Sequence, residues 1–99
     1  MIIHQLERYK NILIPIISNV VPNAKIIVYG SRARGDYKEG SDIDIALDNG
    51  EKIDDALMAK IIGDIEESNL PICYDVVDFR AVSEKLRQAI MNDGVVWKE

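Results

Sequence analysis

Two aspartates separated by one residue, Asp42 and Asp44, are the first candidates for chemistry in this sequence. They lie in a stretch, residues 42–47, whose strict alternation predicts a strand with a core face and a polar face. Both carboxylates then point to the same face, roughly 6–7 Å apart, where they repel each other and raise each other's pKa. A divalent cation bound between the two carboxylates would replace their repulsion by attraction, and oxygen ligands on a rigid strand suit Mg²⁺. A third carboxylate from a neighbouring strand would allow two such ions about 3.5–4 Å apart.

Two aspartates of a later predicted strand, Asp75 and Asp78, compete for that third position. Because they are three residues apart on a strand, they point to opposite faces, and only one of them can join the site. Asp78 stands at the end of the strand, where we expect it to cap the following helix.

A Gly-Ser pair, Gly30-Ser31, ends an earlier β-branched run. Glycine lets a phosphate approach the backbone closely, and the serine hydroxyl and the amides of the turn that follows can donate to an anion. Arg32 and Arg34 add guanidinium groups that suit bidentate phosphate contacts. A Gly-Ser corner facing an Asp-x-Asp strand therefore predicts a site for a metal-bound triphosphate.

The spacing of these pieces is more specific than either piece alone. Gly30-Ser31, ten intervening residues and then Asp42-Ile43-Asp44 resemble the signature of the DNA polymerase beta-like nucleotidyltransferase superfamily. The stretches 29–35 and 41–46 resemble its minimal nucleotidyltransferase (MNT) family, and residues 74–78 resemble that family's third-carboxylate strand. The resemblance covers essentially the whole chain, so we expect one nucleotidyltransferase domain over residues 1–99.

The resemblance also implies roles for individual residues. It places the metal, two Mg²⁺ ions, on Asp42, Asp44 and Asp75, which would be the catalytic residues, and it thereby selects Asp75 as the third carboxylate. It places the nucleotide phosphates on Gly30 and Ser31, and we expect Arg32 and Arg34 to contribute to nucleotide binding. The expected fold is of the α/β (α+β) class, a polymerase beta-like fold with a small mixed sheet and helices mainly on one face.

Members of the MNT family are commonly paired with a HEPN-domain protein in toxin–antitoxin modules. The resemblance therefore implies an antitoxin that transfers AMP from ATP to a protein hydroxyl, a tyrosine of the HEPN toxin. Two other interpretations stay open at this point. The chain could be a non-catalytic antitoxin that masks its partner, or it could transfer the nucleotide to a small hydroxylated molecule.

Composition limits the classes of partner and location. The chain has 99 residues and a net charge of −5, which argues against a broad basic surface for nucleic acid. Its single cysteine, Cys73, excludes an intrachain disulfide, and no apolar run approaches the ~20 residues of a membrane span. With no basic N-terminal region typical of a signal peptide, we expect a cytoplasmic protein that binds no membrane.

Helical and extended patterns alternate along the chain. The patterns predict helices over 2–20, 51–68 and 81–92, a helical turn at 32–34, a polar loop at 35–40, and strands over 25–29, 42–47, 72–79 and 95–97. Pro15 should kink the first helix or end it just before the proline. The run Ile12–Ile17 is apolar nearly all round, so either neighbouring elements of the chain cover it or a partner chain does, in a homo- or hetero-oligomer that forms through this helix.

Overall fold

The computed structural model describes residues 2–36 and 40–99, with side chains described from Glu7 onward. Part of the predicted polar loop, residues 37–39, lies outside the described residues. Helices and strands alternate in the predicted order: α1 Ile2–Val20, β1 Lys25–Tyr29, α2 Ser31–Arg34, β2 Ile43–Asp48, α3 Asp55–Glu67, β3 Tyr74–Asp78, α4 Glu84–Asp93 and β4 Val95–Lys98.

The four strands form one mixed sheet in the order β3-β2-β1-β4. β1 runs antiparallel to β2 and to β4, whereas β2 and β3 run parallel. The short link between β1 and β2 allows an antiparallel pair, while the parallel pair β2–β3 needs the longer crossover that α3 supplies. The prediction of a small mixed sheet is confirmed.

Helices cover both faces of the sheet unequally. On one face α1 and α3 pack against alternate residues of the strands, and this core contains the fully buried side chains Leu13, Ile17, Ile26, Ile43, Ile45, Leu47, Ile61 and Ile65. On the other face a smaller cluster joins Ile90 of α4 to Ile27, Tyr29, Ala46 and Phe79. Two of the three long helices of the described chain therefore lie on one face, as predicted. None of the described helices is long and apolar enough to cross a membrane.

The first helix continues through Pro15, so the predicted break before the proline is wrong. The apolar run around it is explained within the described chain: Leu13 and Ile17 are fully buried, and Ile14 and Ile16 pack partly against the same core. Pro15 itself lies on the exposed side. On that side water can reach the Asn11 carbonyl, which loses its usual donor because proline has no N–H.

Asp78 does not cap the helix that follows it, and that prediction is wrong. Its buried carboxylate accepts from the backbone N–H of Ile53 at 2.7 Å and from that of Arg80 at 3.0 Å. The cap of α4 is Ser83, whose hydroxyl oxygen accepts from the N–H of Leu86 at 3.2 Å. Asp78 thus fastens the segment before α3 to the end of β3.

Candidate active site

Three polar side chains lie in one row across the sheet. Tyr29 at the end of β1 is paired with Asp44 of β2, and Asp44 is paired in turn with Asp75 of β3. Side chains alternate between the faces of a sheet, so residues paired in register share a face. The row lies on the α4 face, because Tyr29 and Ala46 belong to the cluster around Ile90.

Gly30 comes directly against the middle of this row. Its φ of +78° and ψ of −158° belong to a region that is essentially restricted to glycine. A Cβ at this position would lie 2.5 Å from Oδ2 of Asp44, which is too close for any other residue type without displacing the carboxylate. The glycine therefore brings the backbone that leads into α2 beside the carboxylate.

Burial and like charge act together on Asp44. Its pKa is raised from the ordinary value of 3.8, first by burial and then by the negative charges of Asp75 and Asp42. Burial, followed by the charges of Asp44 and Asp75, raises the pKa of Tyr29 to about 12, so this tyrosine is neutral at physiological pH. Negative charge is therefore concentrated along the row with no cation to offset it among its members, which is the electrostatic setting that favours a divalent cation.

The other predicted metal ligands border the row at more exposed positions. Asp42 immediately precedes β2 and is exposed, as is Asp75, whereas Asp44 is half-buried. In residues 2–36 and 40–99, no group of three or more His, Cys, Asp or Glu side chains is close enough together to hold a metal ion by itself. Asp44 and Asp75 are brought together by strand pairing, and Asp42 acts on Asp44 through its charge.

Arg32 is buried and holds the segment that precedes β2. Its guanidinium donates to the backbone carbonyl of Ser41 from Nη2 at 2.9 Å and from Nε at 3.3 Å. Ser41 precedes Asp42, so Arg32 ties α2 to the start of the strand that carries the carboxylates. The sequence analysis missed this positioning role, since no pattern links an arginine to a backbone carbonyl nine residues away.

Arg34 is exposed and bound to carboxylates of this chain. Its Nη1 donates to Asp93 at 2.9 Å and its Nε donates to Asp36 at 3.2 Å. These bonds raise the pKa of the already cationic guanidinium, with the bond to Asp36 contributing most. The pair with Asp93 joins the end of α2 to the end of α4, which the sequence analysis also missed.

The sequence matches the family "Polymerase beta, Nucleotidyltransferase" over residues 3–99. This chain belongs to that family. Among curated proteins, the probable protein adenylyltransferase MntA of Haemophilus influenzae is 32% identical over 84 residues, covering 85% of this chain and 74% of the relative. The predictions that the chain is a nucleotidyltransferase and resembles the MNT group are confirmed.

Solved structures agree with this assignment. One chain of a crystal structure described as a toxin–antitoxin with AMP-PNP matches with a TM-score of 0.75 and 26% identity, over 89% of this chain and 71% of that one. A chain of the complex of a tri-AMPylated Shewanella oneidensis HEPN toxin with an MNT antitoxin matches with a TM-score of 0.71, over 92% of this chain and 70% of that one. At 23% identity, this second match supports the fold alone.

Proposed function

We propose that this protein is the antitoxin of a HEPN/MNT pair and that it transfers AMP from ATP to a tyrosine hydroxyl of its HEPN-domain partner. Membership of the nucleotidyltransferase family supports the reaction class. The similarity to MntA and to a toxin–antitoxin structure containing AMP-PNP supports a protein acceptor and an adenine nucleotide. The family match over residues 3–99 supports a single nucleotidyltransferase domain.

The observation that carries the proposal is the alignment of Gly30, Asp44 and Asp75. Strand pairing places the two carboxylates side by side, and Gly30 lies against Asp44 on the side away from Asp75. A triphosphate at the glycine and an acceptor hydroxyl at Asp75 would then lie on opposite sides of Asp44. Such an arrangement suits displacement at phosphorus, in which the attacking and leaving oxygens are roughly in line.

The carboxylates are suited to Mg²⁺. Asp42, Asp44 and Asp75 offer the hard oxygen ligands that this ion prefers, and the repulsion that raises the pKa of Asp44 would be relieved on binding. We propose that these three aspartates hold two Mg²⁺ ions, with phosphate oxygens and water completing the ligands. Bound there, the ions would neutralise the charge that develops on the phosphates.

The chain's own residues then bind and orient the reactants. The turn at Gly30–Ser31 binds the β- and γ-phosphates beside Asp44, and the hydroxyl of Ser31 donates to them. Asp75, exposed at the sheet edge, accepts the proton of the acceptor hydroxyl as the oxygen–phosphorus bond forms. The bond from the α-phosphorus to the β-phosphate oxygen breaks, and pyrophosphate leaves. Arg32 holds the start of β2 in place, and Arg34 would bind phosphate by exchanging its bonds to Asp36 and Asp93 for bonds to phosphate oxygens.

The test is to mix the protein with ATP, Mg²⁺ and a purified HEPN-domain protein, with the product of the neighbouring reading frame as the first candidate, and to record intact mass. We expect additions of about 329 Da per transferred AMP, which disappear with EDTA. Asp44→Asn should abolish them, while Asp55→Asn, at an exposed carboxylate on α3, should leave them unchanged.

Three other results would contradict the proposal. Absence of any addition to the partner would exclude protein adenylylation. Full neutralisation of toxicity by Asp44→Asn without transfer would favour a masking antitoxin. Consumption of ATP that depends on a small hydroxylated molecule, with the partner unmodified, would favour a small-molecule acceptor.

A further inference from the structure

Two carboxylates of this chain share the guanidinium of Arg34. Asp36 accepts from its Nε at 3.2 Å, and Asp93, the last residue of α4, accepts from its Nη1 at 2.9 Å. One positive and two negative charges give this cluster a net charge of −1. Water reaches all three side chains, since those of Arg34, Asp36 and Asp93 are 45%, 62% and 32% exposed. As long as both bonds persist, the cluster repels a triphosphate instead of attracting it.

The two bonds also occupy both edges of the guanidinium that can bind a phosphate with two hydrogen bonds. One such edge contains Nε and Nη2, and the other contains Nη1 and Nη2. Asp36 accepts from a nitrogen of the first edge and Asp93 from a nitrogen of the second. Arg34 can therefore bind a phosphate in a bidentate manner only after it has released one of these carboxylates.

Arg34 lies one helical turn after the glycine of the Gly30–Ser31 turn. Its backbone N–H donates to the carbonyl of Gly30 at 3.0 Å, across the whole length of α2. Because Cα–Cβ bonds in a helix tilt toward its N-terminus, the side chain of Arg34 leaves the backbone in the direction of Gly30. One helical turn rises about 5.4 Å, which is within the length of an extended arginine side chain. Rotation about side-chain bonds alone can thus bring the guanidinium to a phosphate at this turn.

We propose that Asp93 lowers the affinity of this protein for ATP by competing with the phosphates for Arg34. The inference rests on the proposed function, which places a triphosphate at the Gly30–Ser31 turn. Asp93 is a stronger competitor than Asp36, because its bond is shorter and its carboxylate is less exposed and so less screened by water and salt. In the free protein Arg34 joins α2 to the end of α4, and in the ATP complex it binds phosphate and this link is broken.

The test measures the affinity for AMP-PNP by calorimetric titration in Mg²⁺, without any acceptor protein. Asp93→Asn should bind AMP-PNP about threefold more tightly than the wild type, which is within the range of exposed ion pairs. Asp64→Asn is the matched control, because Asp64 is 31% exposed and pairs with Lys60 at 3.3 Å on α3, which packs on the other face of the sheet. It removes the same charge and should bind AMP-PNP as the wild type does.

A second comparison shows whether the gain depends on Arg34. In an Arg34→Gln background, Asp93→Asn should leave the affinity for AMP-PNP unchanged, because the competing pair no longer exists. An equal gain in that background would assign the effect to general charge repulsion and overturn the inference. Weaker binding by Asp93→Asn alone would mean that Asp93 orients Arg34 for phosphate, and unchanged binding would mean that the pair is only structural; either result would also overturn it.

These measurements separate failure of the competition from failure of the proposed function. AMP transfer to the partner by the wild type, with no gain in affinity from Asp93→Asn, would refute the competition and leave the reaction standing. A gain that disappears with Arg34→Gln, in a protein that transfers no AMP, would keep the competition and refute the reaction. A protein that binds no AMP-PNP in any of these forms would refute both.

Discussion

Replacing Gly30 by alanine changes two separate features of the turn between β1 and α2. The residue has φ +78° and ψ −158°, and the Cβ that alanine adds would lie 2.5 Å from Oδ2 of Asp44. The first feature is a matter of backbone strain. The second is a collision with a proposed metal ligand.

The two effects have different sizes and different readouts. A non-glycine residue in this region costs about 1–3 kcal/mol of stability. Ordinary contact begins at 3.4 Å, so the carboxylate of Asp44 has to retreat by about 0.9 Å. A misplacement of ~1 Å at a reacting centre can lower the rate about 10²-fold. We therefore expect Gly30→Ala to remain folded at reduced stability and to lose about two orders of magnitude in kcat/KM for AMP transfer.

Gly50→Ala is the matched control. Gly50 also has a positive φ, +83°, but a Cβ there would meet nothing within 4 Å. It should lose a comparable 1–2 kcal/mol, measured by urea unfolding, and keep transfer within about twofold of the wild type because no part of the site moves. If Gly30→Ala transferred AMP as well as Gly50→Ala, the close approach to Asp44 would have no part in catalysis and the reasoning would be refuted.

Three further outcomes are expected. In EDTA, Asp44→Asn should be more stable than the wild type at pH 7–8. The raised folded-state pKa of Asp44 means that its ionised form opposes folding, so the gain should shrink as the pH falls toward the ordinary value of 3.8, and a gain independent of pH would contradict this. Asp78→Ala should lower the free energy of unfolding by about 2–3 kcal/mol, because the buried N–H of Ile53 loses its acceptor, and thermal unfolding checks it. Ser83→Ala should cost about 1 kcal/mol through loss of the α4 cap, with transfer unchanged, and a loss of transfer would show that α4 does more than support the sheet.

The spacing of apolar residues predicted most helices and strands, because that spacing decides which face of each element is buried. β1 has its predicted bounds, and β2 differs by one residue at each end. α3 begins at Asp55 instead of residue 51, because Ile53 is buried and held by Asp78, a contact across 25 residues that no local pattern contains. β3 begins at Tyr74 instead of residue 72, where its pairing with β2 starts.

Some features of the candidate site also follow from local sequence, whereas others depend on packing between distant elements. The approach of Gly30 to Asp44 and the pairing of Asp44 with Asp75 agree with the motif spacing, since glycine in a turn and alternation on a strand are local properties. The partners of Arg32 and Arg34, Ser41 and Asp93, depend on how α2 packs against β2 and α4. The metal and phosphate roles of all these residues stay predictions that the variants above address.

The mixed sheet also sets the order in which Tyr29, Asp44 and Asp75 can come together during synthesis of the chain. Gly30 and Asp44 belong to the antiparallel pair β1–β2, which can form as soon as residue 48 is available. Asp75 joins through a parallel crossover that spans residues 49–73, and closing longer loops is slower and costs more entropy. A growing chain can thus bring Gly30 beside Asp44 first, and Asp75 joins them only after the crossover through α3 is complete.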